Sequence, residues 1–402
     1  MGDTRPLKLA IIAGEESGDL LGADLVSALA AASGREIELF GVGGRHLQAR
    51  GLNSLFDPAG ISIIGVGAVV RDLPRIVYRI GQAARAVAAY KPDCLVTIDV
   101  PAFGLRVARK VRAANPAIPI VHYVCPSVWA WGPERAAEMR PYVDKILCLL
   151  PFEPAELQRL DGPPGIFVGH RLARDPGILG AAERQRERAG ARREDGVTTL
   201  LVLPGSRNSE VRALLPAFGE TVSILRERGS RLRLLLPTVP HVADAVRQMT
   251  ENWPDQPQIT LDEEQKWQAF GEADAALAAS GTVSLELSLA RVPLVSCYKA
   301  DRIMRLLQSM IRAWTASLPN LIADRPVVPE YYNEFVRPGM LARRIEQLAA
   351  VSLERAAQLE GFDDIASALA TSRPSGEIAA EIILREIRAR AGKQKGAAFA
   401  TP

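Results

Sequence analysis

An alternation governs this chain of 402 residues. Short apolar segments, too brief to be helices of their own, recur between longer stretches with helical periodicity. LKLAIIAG, IELFGVGG, DCLVTIDV, IPIVHYV, DKILCLL and GIFVGH set the rhythm in the first half, and TTLLVLPGS, LRLLLPTV, DAALAAS and VPLVSCY repeat it in the second. A strand that is followed by a helix has its successor laid down parallel to it, so the pattern predicts an α/β chain with two doubly wound parallel sheets. The segment AAERQRERAGARREDG, residues 181–196, carries many charges and almost no large apolar side chain, and we place the domain boundary there. The expected domains are residues 1–180 and 197–350, in keeping with cores of about 150 to 200 residues each. A last helix, residues 375–392, is expected either to complete the first domain or to exchange with a second chain. Residues 393–402 read as a disordered tail.

Two Rossmann-like sheets of this kind are expected to face each other across a cleft, with ligands at the carboxyl ends of the strands. Composition narrows the ligand. The 49 basic and 46 acidic residues leave a net charge of +3, which calls for no polyanionic partner and argues against nucleic acid. Cys94, Cys125, Cys148 and Cys297 are far apart with no CxxC pair, a pattern against both a zinc site and a disulfide framework and in favour of a reducing cytoplasm. The N-terminus runs straight into a first strand without the profile of a signal peptide. The longest apolar run, ISIIGVGAVV at 61–70, falls well short of the roughly 18 residues a membrane span needs.

The residues just after the strands therefore carry the chemistry. In LLVLPGSRNSEV, Gly205, Ser206 and Arg207 join a strand to a helix start, where backbone N–H groups and a guanidinium favour an anion. A plain turn capped by Ser206 or Asn208 is the other reading. Ser280, Gly281 and Thr282 form a similar turn before a helix that carries Glu286, a carboxylate placed to accept ribose hydroxyls or simply to complement the helix dipole. Two such turns in one half point to a nucleotide diphosphate. In the first half, Asp99 ends an otherwise apolar strand and is a candidate general base, or else a cap for the next helix. Glu15, Ser17 and Asp19 sit in a glycine-rich loop after the first strand, whose spacing is not GxGxxG, so a nicotinamide cofactor is weakly supported and no cofactor is expected.

His46, His122, His170 and His241 are scattered without ligand spacing, and no Asp-x-Asp pair occurs, which speaks against a metal clamp on a diphosphate. His122 and His170 follow strands and are candidates for the cleft wall or for structural roles. VCPSVWAWGPER, residues 124–135, spends two of five tryptophans on one loop. Ser127, Trp129 and Trp131 are candidates for an apolar wall with hydrogen-bonding tips, the alternative being that the tryptophans pack the core. Two stretches read as basic amphipathic helices suited to a membrane surface or to a core stripe with a solvated face: Arg71, Arg75 and Arg79 beside Ile76 and Ile80, and Arg302, Arg305 and Arg312 beside Met304, Leu307, Ile311 and Trp314.

Taken in order, AGEESGDLLGADL, GVGGRHLQARG, TIDVPAFGLRVARKVR, CPSVWAWGPER, LPFEP, VGH, LPGSRNSEV, ASGTVSLELSLARVPLV and SLPNLIADRPVVPE resemble the lipid-A-disaccharide synthases over roughly residues 7–345. The resemblance implies the two-domain GT-B glycosyltransferase fold and a metal-independent, inverting transfer at the cytoplasmic face of the inner membrane of a Gram-negative bacterium. UDP-2,3-diacylglucosamine would be joined to 2,3-diacylglucosamine 1-phosphate, giving the β(1→6) disaccharide and UDP, with a homodimer as one possible assembly. It casts Asp99 as the catalytic base. Gly205 to Arg207, Ser280 to Thr282 and Glu286 become UDP contacts. Glu15, Ser17, Asp19, Ser127, Trp129, Trp131 and Asn320 become acceptor or donor-sugar contacts. The chain also departs from the family pattern: Asp99, Val100, Pro101, Ala102, Phe103, Gly104 stand where members often read Asp-Ala-Pro-Asp-Phe-Asn, and Cys125 stands where serine is frequent. A UDP-sugar epimerase or hydrolase on the same fold, and a noncatalytic nucleotide-sugar or lipid-binding protein, are the competing readings.

Overall fold

The computed structural model describes residues 5–58, 66–188, 196–300, 305 and 310–399. The chain forms two compact units, one of Met1–His170 with Thr371–Pro402 and the other of Arg171–Ala370.

The first unit runs β1 (Leu7–Ala13), α1 (Glu16–Ser33), β2 (Ile37–Val42), α2 (Arg45–Gln48), β3 (Asn53–Ser54), α3 (Val66–Tyr90), β4 (Cys94–Ile98), α4 (Pro101–Ala114), β5 (Ile120–Tyr123), α5 (Glu134–Met139), β6 (Lys145–Cys148), α6 (Glu153–Arg159) and β7 (Gly165–Phe167). Its seven strands lie in the order β3-β2-β1-β4-β5-β6-β7, every pair parallel. The order reverses between β1 and β4, whose register runs from Leu9 opposite Cys94 to Ala13 opposite Ile98. Because strand side chains alternate, β1 feeds two cores. Leu9 and Ile11 pack with Leu21, Leu25 and Leu29 of α1, while Ala10 and Ile12 pack with Phe103, Val107 and Val111 of α4 and Val87 of α3. Each such leucine contributes about 1.5–3 kcal/mol by leaving water.

The second unit runs α7 (Pro176–Arg188), β8 (Val197–Leu203), α8 (Asn208–Glu227), β9 (Arg231–Pro237), α9 (Pro240–Thr250), β10 (Gln258–Thr260), α10 (Glu263–Glu272), β11 (Ala275–Ala279), α11 (Thr282–Leu289), β12 (Leu294–Tyr298), α12 (Leu318–Ala323), β13 (Glu330–Tyr332), α13 (Pro338–Ala349) and α14 (Leu353–Leu369). Its sheet, β10-β9-β8-β11-β12-β13, is again all parallel and reverses between β8 and β11.

Three boundaries differ from the sequence reading. Residues 171–180 belong to the second unit, because α7 packs on α10: a Cβ on Gly177 would fall inside the Trp267 ring, and Gln185 Nε2 donates to the Phe270 and Ala273 carbonyls at 2.7 Å each. The second unit also extends past residue 350, since Gln358 of α14 bonds the backbone of Leu294 in both directions. The helix α15 (Ser375–Phe399) lies against α1 of its own chain, burying Ala379, Ala380 and Ile383 in the first unit's core, and it stays helical through 393–399, where composition suggested an irregular tail.

The amphipathic stretches also resolve differently. Ile80 is buried and Ile76 packs on the same core, so among the described side chains the large apolar ones that α3 leaves exposed are Leu73, Val77 and Tyr78. Arg79 lies over the Phe56 ring at 4.3 Å. In the second stretch Met310, Ile311 and Trp314 are exposed, but 311–316 is not helical; Arg302, Met304 and Leu307, like ISIIG at 61–65, lie outside the described residues. No helix among the described residues is long and apolar enough to cross a membrane.

Candidate functional site

The two sheets put the motif residues at equivalent places, on the loops that flank each reversal of strand order. In the first unit these are the loop after β1, with Glu15 and Ser17 exposed, and the turn after β4, with Asp99. Gly18 brings them together. A Cβ there would meet Ile98 Cγ2 at 3.4 Å and Asp99 Cβ at 3.6 Å, so α1 begins in contact with the end of β4.

The turn at Asp99 is strained. Asp99 and Val100 have φ of 51° and 39°, and Val124, at the end of the neighbouring β5, has φ of 77°. Left-handed backbone is costly for β-branched residues and is retained where surrounding structure enforces it, often at functional sites. Here the Asp99 N–H donates to the Tyr123 carbonyl at 2.9 Å, and the Val100 N–H to Asp99 Oδ1 at 2.9 Å, with Pro101 opening α4. Asp99 caps part of its own turn with Oδ1. Ala102 is exposed; Gly104 is buried, and a Cβ on it would lie 3.2 Å from Thr97 Cβ, so this turn is shaped around glycine rather than asparagine.

Asp19 takes a different part from the one the sequence suggested. It is buried, Oδ1 accepts the Gly44 N–H at 2.6 Å, and Oδ2 accepts the His46 N–H at 2.7 Å. That is the capping of α2 by a side chain remote in sequence.

The tryptophan loop divides its two rings. Trp131 is 48% exposed, with the Arg135 guanidinium stacked on it at 3.8 Å and donating to the Trp131 carbonyl at 2.8 Å. Ser127 beside it is exposed. Trp129 is half-buried, edge-on to Phe152 at 5.2 Å between ring centres, and its indole N–H donates to Glu153 Oε1 at 3.4 Å. Glu153 is buried, which pushes its carboxyl up to about 7. Cys125, Cys148 and Glu153 offer ligand-type atoms within 4.8 Å of one another, a cluster that sequence spacing had set aside. The contact with Cys148, together with burial, pushes the Cys125 thiol up. His122 lies within β5 rather than beyond it; its Nδ1 meets Thr97 Oγ1 at 2.7 Å, and burial pushes its imidazole down to about 4.

In the second unit, the Ser206 and Arg207 N–H groups point at an anion that the chain itself supplies. Glu210 Oε2 accepts both, at 3.1 and 3.3 Å, and Oε1 accepts Arg207 Nη1 at 2.8 Å. Gly205, at φ 108°, has no room for a side chain, since a Cβ would sit 2.3 Å from Glu210 Oε2. This is a capping box, made by Glu210 rather than by Ser206 or Asn208. Its donors are the ones an exogenous phosphate would use.

The second turn is built from Ser280 and Gly281, with Thr282 exposed at the start of α11. Ser280 Oγ donates to the Ala316 carbonyl at 3.4 Å. Glu286 pairs with Lys266 of α10 at 2.7 Å, a partner the sequence did not single out. Asn320 is buried with all four hydrogen-bonding positions in use: Oδ1 accepts from the Val327 and Val328 N–H groups, and Nδ2 donates to the Val328 carbonyl and to Glu330. An amide can do no more, so Asn320 clamps the 317–330 segment and has no hydrogen-bonding position left over for a sugar. Glu330 accepts from Thr315 and Tyr332 as well, and the Tyr332 hydroxyl takes the Ala316 N–H at 3.0 Å. The segment that supports Ser280 is thereby fixed from below.

Comparisons with known proteins agree with this arrangement. A family model described as lipid-A-disaccharide synthetase matches residues 9–375. The lipid-A-disaccharide synthase of Nitrobacter winogradskyi is 45% identical over 388 residues, covering 95% of this chain and 97% of that protein. That of Rhodopseudomonas palustris is 46% identical over 385 residues, covering 95% and 96%. Among solved structures, a UDP-GlcNAc 2-epimerase from Neisseria meningitidis bound to UDP-GlcNAc superposes with a TM-score of 0.61 at 12% identity, over 94% of this chain and 100% of that one. Acinetobacter baumannii MurG gives 0.57 at 15% identity, with the same coverage. At those identities the likeness is one of fold, two Rossmann-like units of the GT-B kind. The match along nearly the whole length of both chains is what decides identity: this chain belongs to the lipid-A-disaccharide synthase family.

Proposed function

We propose that the chain joins UDP-2,3-diacylglucosamine to 2,3-diacylglucosamine 1-phosphate, forming the β(1→6) lipid A disaccharide and releasing UDP. The observation that carries this reading is the strained turn that holds Asp99 against Gly18 in the first turn of α1, at the strand-order reversal of the first unit. Asp99 takes the proton from the acceptor's 6-hydroxyl as that oxygen attacks the anomeric carbon. The bond from that carbon to the diphosphate breaks, UDP leaves with its electron pair, and one displacement turns an α-linked donor into a β product. General-base help of this kind is worth about 10²–10⁴ in rate.

The leaving diphosphate gathers negative charge, and the Ser206 and Arg207 N–H groups, the Arg207 guanidinium and the Ser280–Thr282 turn are suited to receive it. For the phosphates to use the first set, Glu210 must yield it. Glu286 accepts ribose hydroxyls. Trp131, with Ser127 beside it, offers an exposed ring for an acylated sugar. Leu73, Val77 and Tyr78, next to Arg75, suit the surface of an anionic bilayer, where such substrates reside. An epimerase needs the nucleotide turns but neither the lipid-facing side chains nor an acceptor, and the full-length relatives carry the synthase name.

The test is UDP release from UDP-2,3-diacylglucosamine in EDTA, with and without 2,3-diacylglucosamine 1-phosphate, following the disaccharide by mass. Acceptor-dependent UDP with disaccharide is expected. UDP or epimer formed equally well without acceptor overturns the reading.

A further inference from the structure

A buried carboxylate is expensive unless it is well bonded, and Glu153 is buried beside Cys125 and Cys148, two members of an apolar cluster. Tying the turn that leads into α6 accounts for one of its oxygens: Oε2 accepts the Leu150 N–H at 3.0 Å, while the Glu153 N–H returns to the Leu150 carbonyl at 3.3 Å. The other oxygen does something that turn does not require. Oε1 reaches the Trp129 indole N–H, 24 residues earlier in the chain, and Phe152, its sequence neighbour, packs edge-on to the same ring. The indole is held by its polar tip and by one face at once. The remainder of that loop is tied down by backbone bonds around Ser127, whose carbonyl accepts the Ala130 and Trp131 N–H groups at 3.0 and 3.2 Å. Trp129 lies within this turn, between Ser127 and Trp131, both of which are exposed.

We propose that Glu153 is a positioning residue for the acylated sugar, holding Trp129, and through it the Ser127–Trp131 turn, in the arrangement that receives substrate. The inference rests on the reading of that turn as a sugar-lipid contact. Glu153 touches no substrate and acts through the ring. The nearby thiols of Cys125 and Cys148 give the carboxylate no N–H donor, so the indole is its one side-chain anchor among the described residues.

The experiment compares W129A, W129F, E153Q and the parent enzyme, labelled with 5-fluorotryptophan. It reads the ¹⁹F resonance of Trp129, assigned by its absence in W129F, and KM for each substrate together with kcat. W129A is expected to raise KM for the acylated sugar about tenfold. E153Q is expected to shift the Trp129 resonance and raise the same KM about fivefold, with kcat and affinity for UDP little changed, because Gln sets an NH2 donor where one of the two carboxylate oxygens accepts from the indole or from Leu150. W129F leaves a smaller aromatic ring and deletes the N–H, so it should raise the same KM at least as far as E153Q does, and it serves the same purpose if E153Q does not fold. If W129A raises KM while E153Q and W129F leave it unchanged, the carboxylate ties its own turn and does nothing more, and the proposal falls alone. If W129A leaves KM unchanged, the loop does not meet substrate and both readings fall.

Discussion

The two strand-order reversals are topologically alike and chemically opposite. In the second unit the turns after β8 and β11 collect positive character: N–H groups at helix starts, the Arg207 guanidinium, and Lys266 beside Glu286. In the first unit the turns after β4 and β5 carry three of the left-handed non-glycine residues and present a carboxylate. Under the proposed function the second unit holds the negative charge of the leaving diphosphate, and the first removes a proton from the acceptor hydroxyl. The same fold serves both because the chemistry lives in the loops.

That comparison breaks most decisively at Asp99. Replacing it with Asn keeps the turn's Oδ1 acceptor and removes the base, so kcat should fall by about 10²–10⁴ with UDP affinity unchanged in calorimetry; a normal kcat would place the base elsewhere. Next in size is Asn320→Ala, which strands the Val327 and Val328 N–H groups. Unsatisfied buried groups cost about 1–3 kcal/mol each, so a lowered denaturation midpoint should precede any specific change in KM, and a stable variant with altered sugar KM would restore Asn320 as a contact. Arg207→Ala should weaken UDP by about tenfold to a hundredfold while leaving the acceptor KM alone, the mirror image of Asp99→Asn. The smallest effect is Asp19→Ala, a lost cap on α2 worth about 1 kcal/mol, measured as a shift in urea midpoint at unchanged UDP affinity.

Much of this architecture is legible in the residues. Both sheets follow from apolar segments that alternate with helical ones, and Asp99 stands out as an acid closing an apolar strand. The strands that escape notice are β3, β10 and β13, edge strands of two or three residues with no apolar run to announce them. Asp19 and Asn320 mislead for a shared reason. Each is a polar residue in a motif, and each spends its hydrogen-bonding capacity on backbone that is distant in sequence for Asp19 and folded back by a turn for Asn320. Side-chain clamps and ligand contacts use the same residue types, and only the tertiary partners separate them. Glu210, Lys266, Glu153 and Glu330 do not stand out in the sequence because, alone, each is an ordinary surface-type charge. A Glu three residues after Arg207 is nevertheless a capping-box spacing, and that signal was available.

The central claim, a single displacement driven by one carboxylate at the strained turn, is tested most directly by the anomeric configuration of the disaccharide, read by proton NMR coupling on product made from an α-linked donor. A β linkage is the predicted result. An α linkage would require a second displacement and a nucleophile on the enzyme, and would contradict the role given to Asp99.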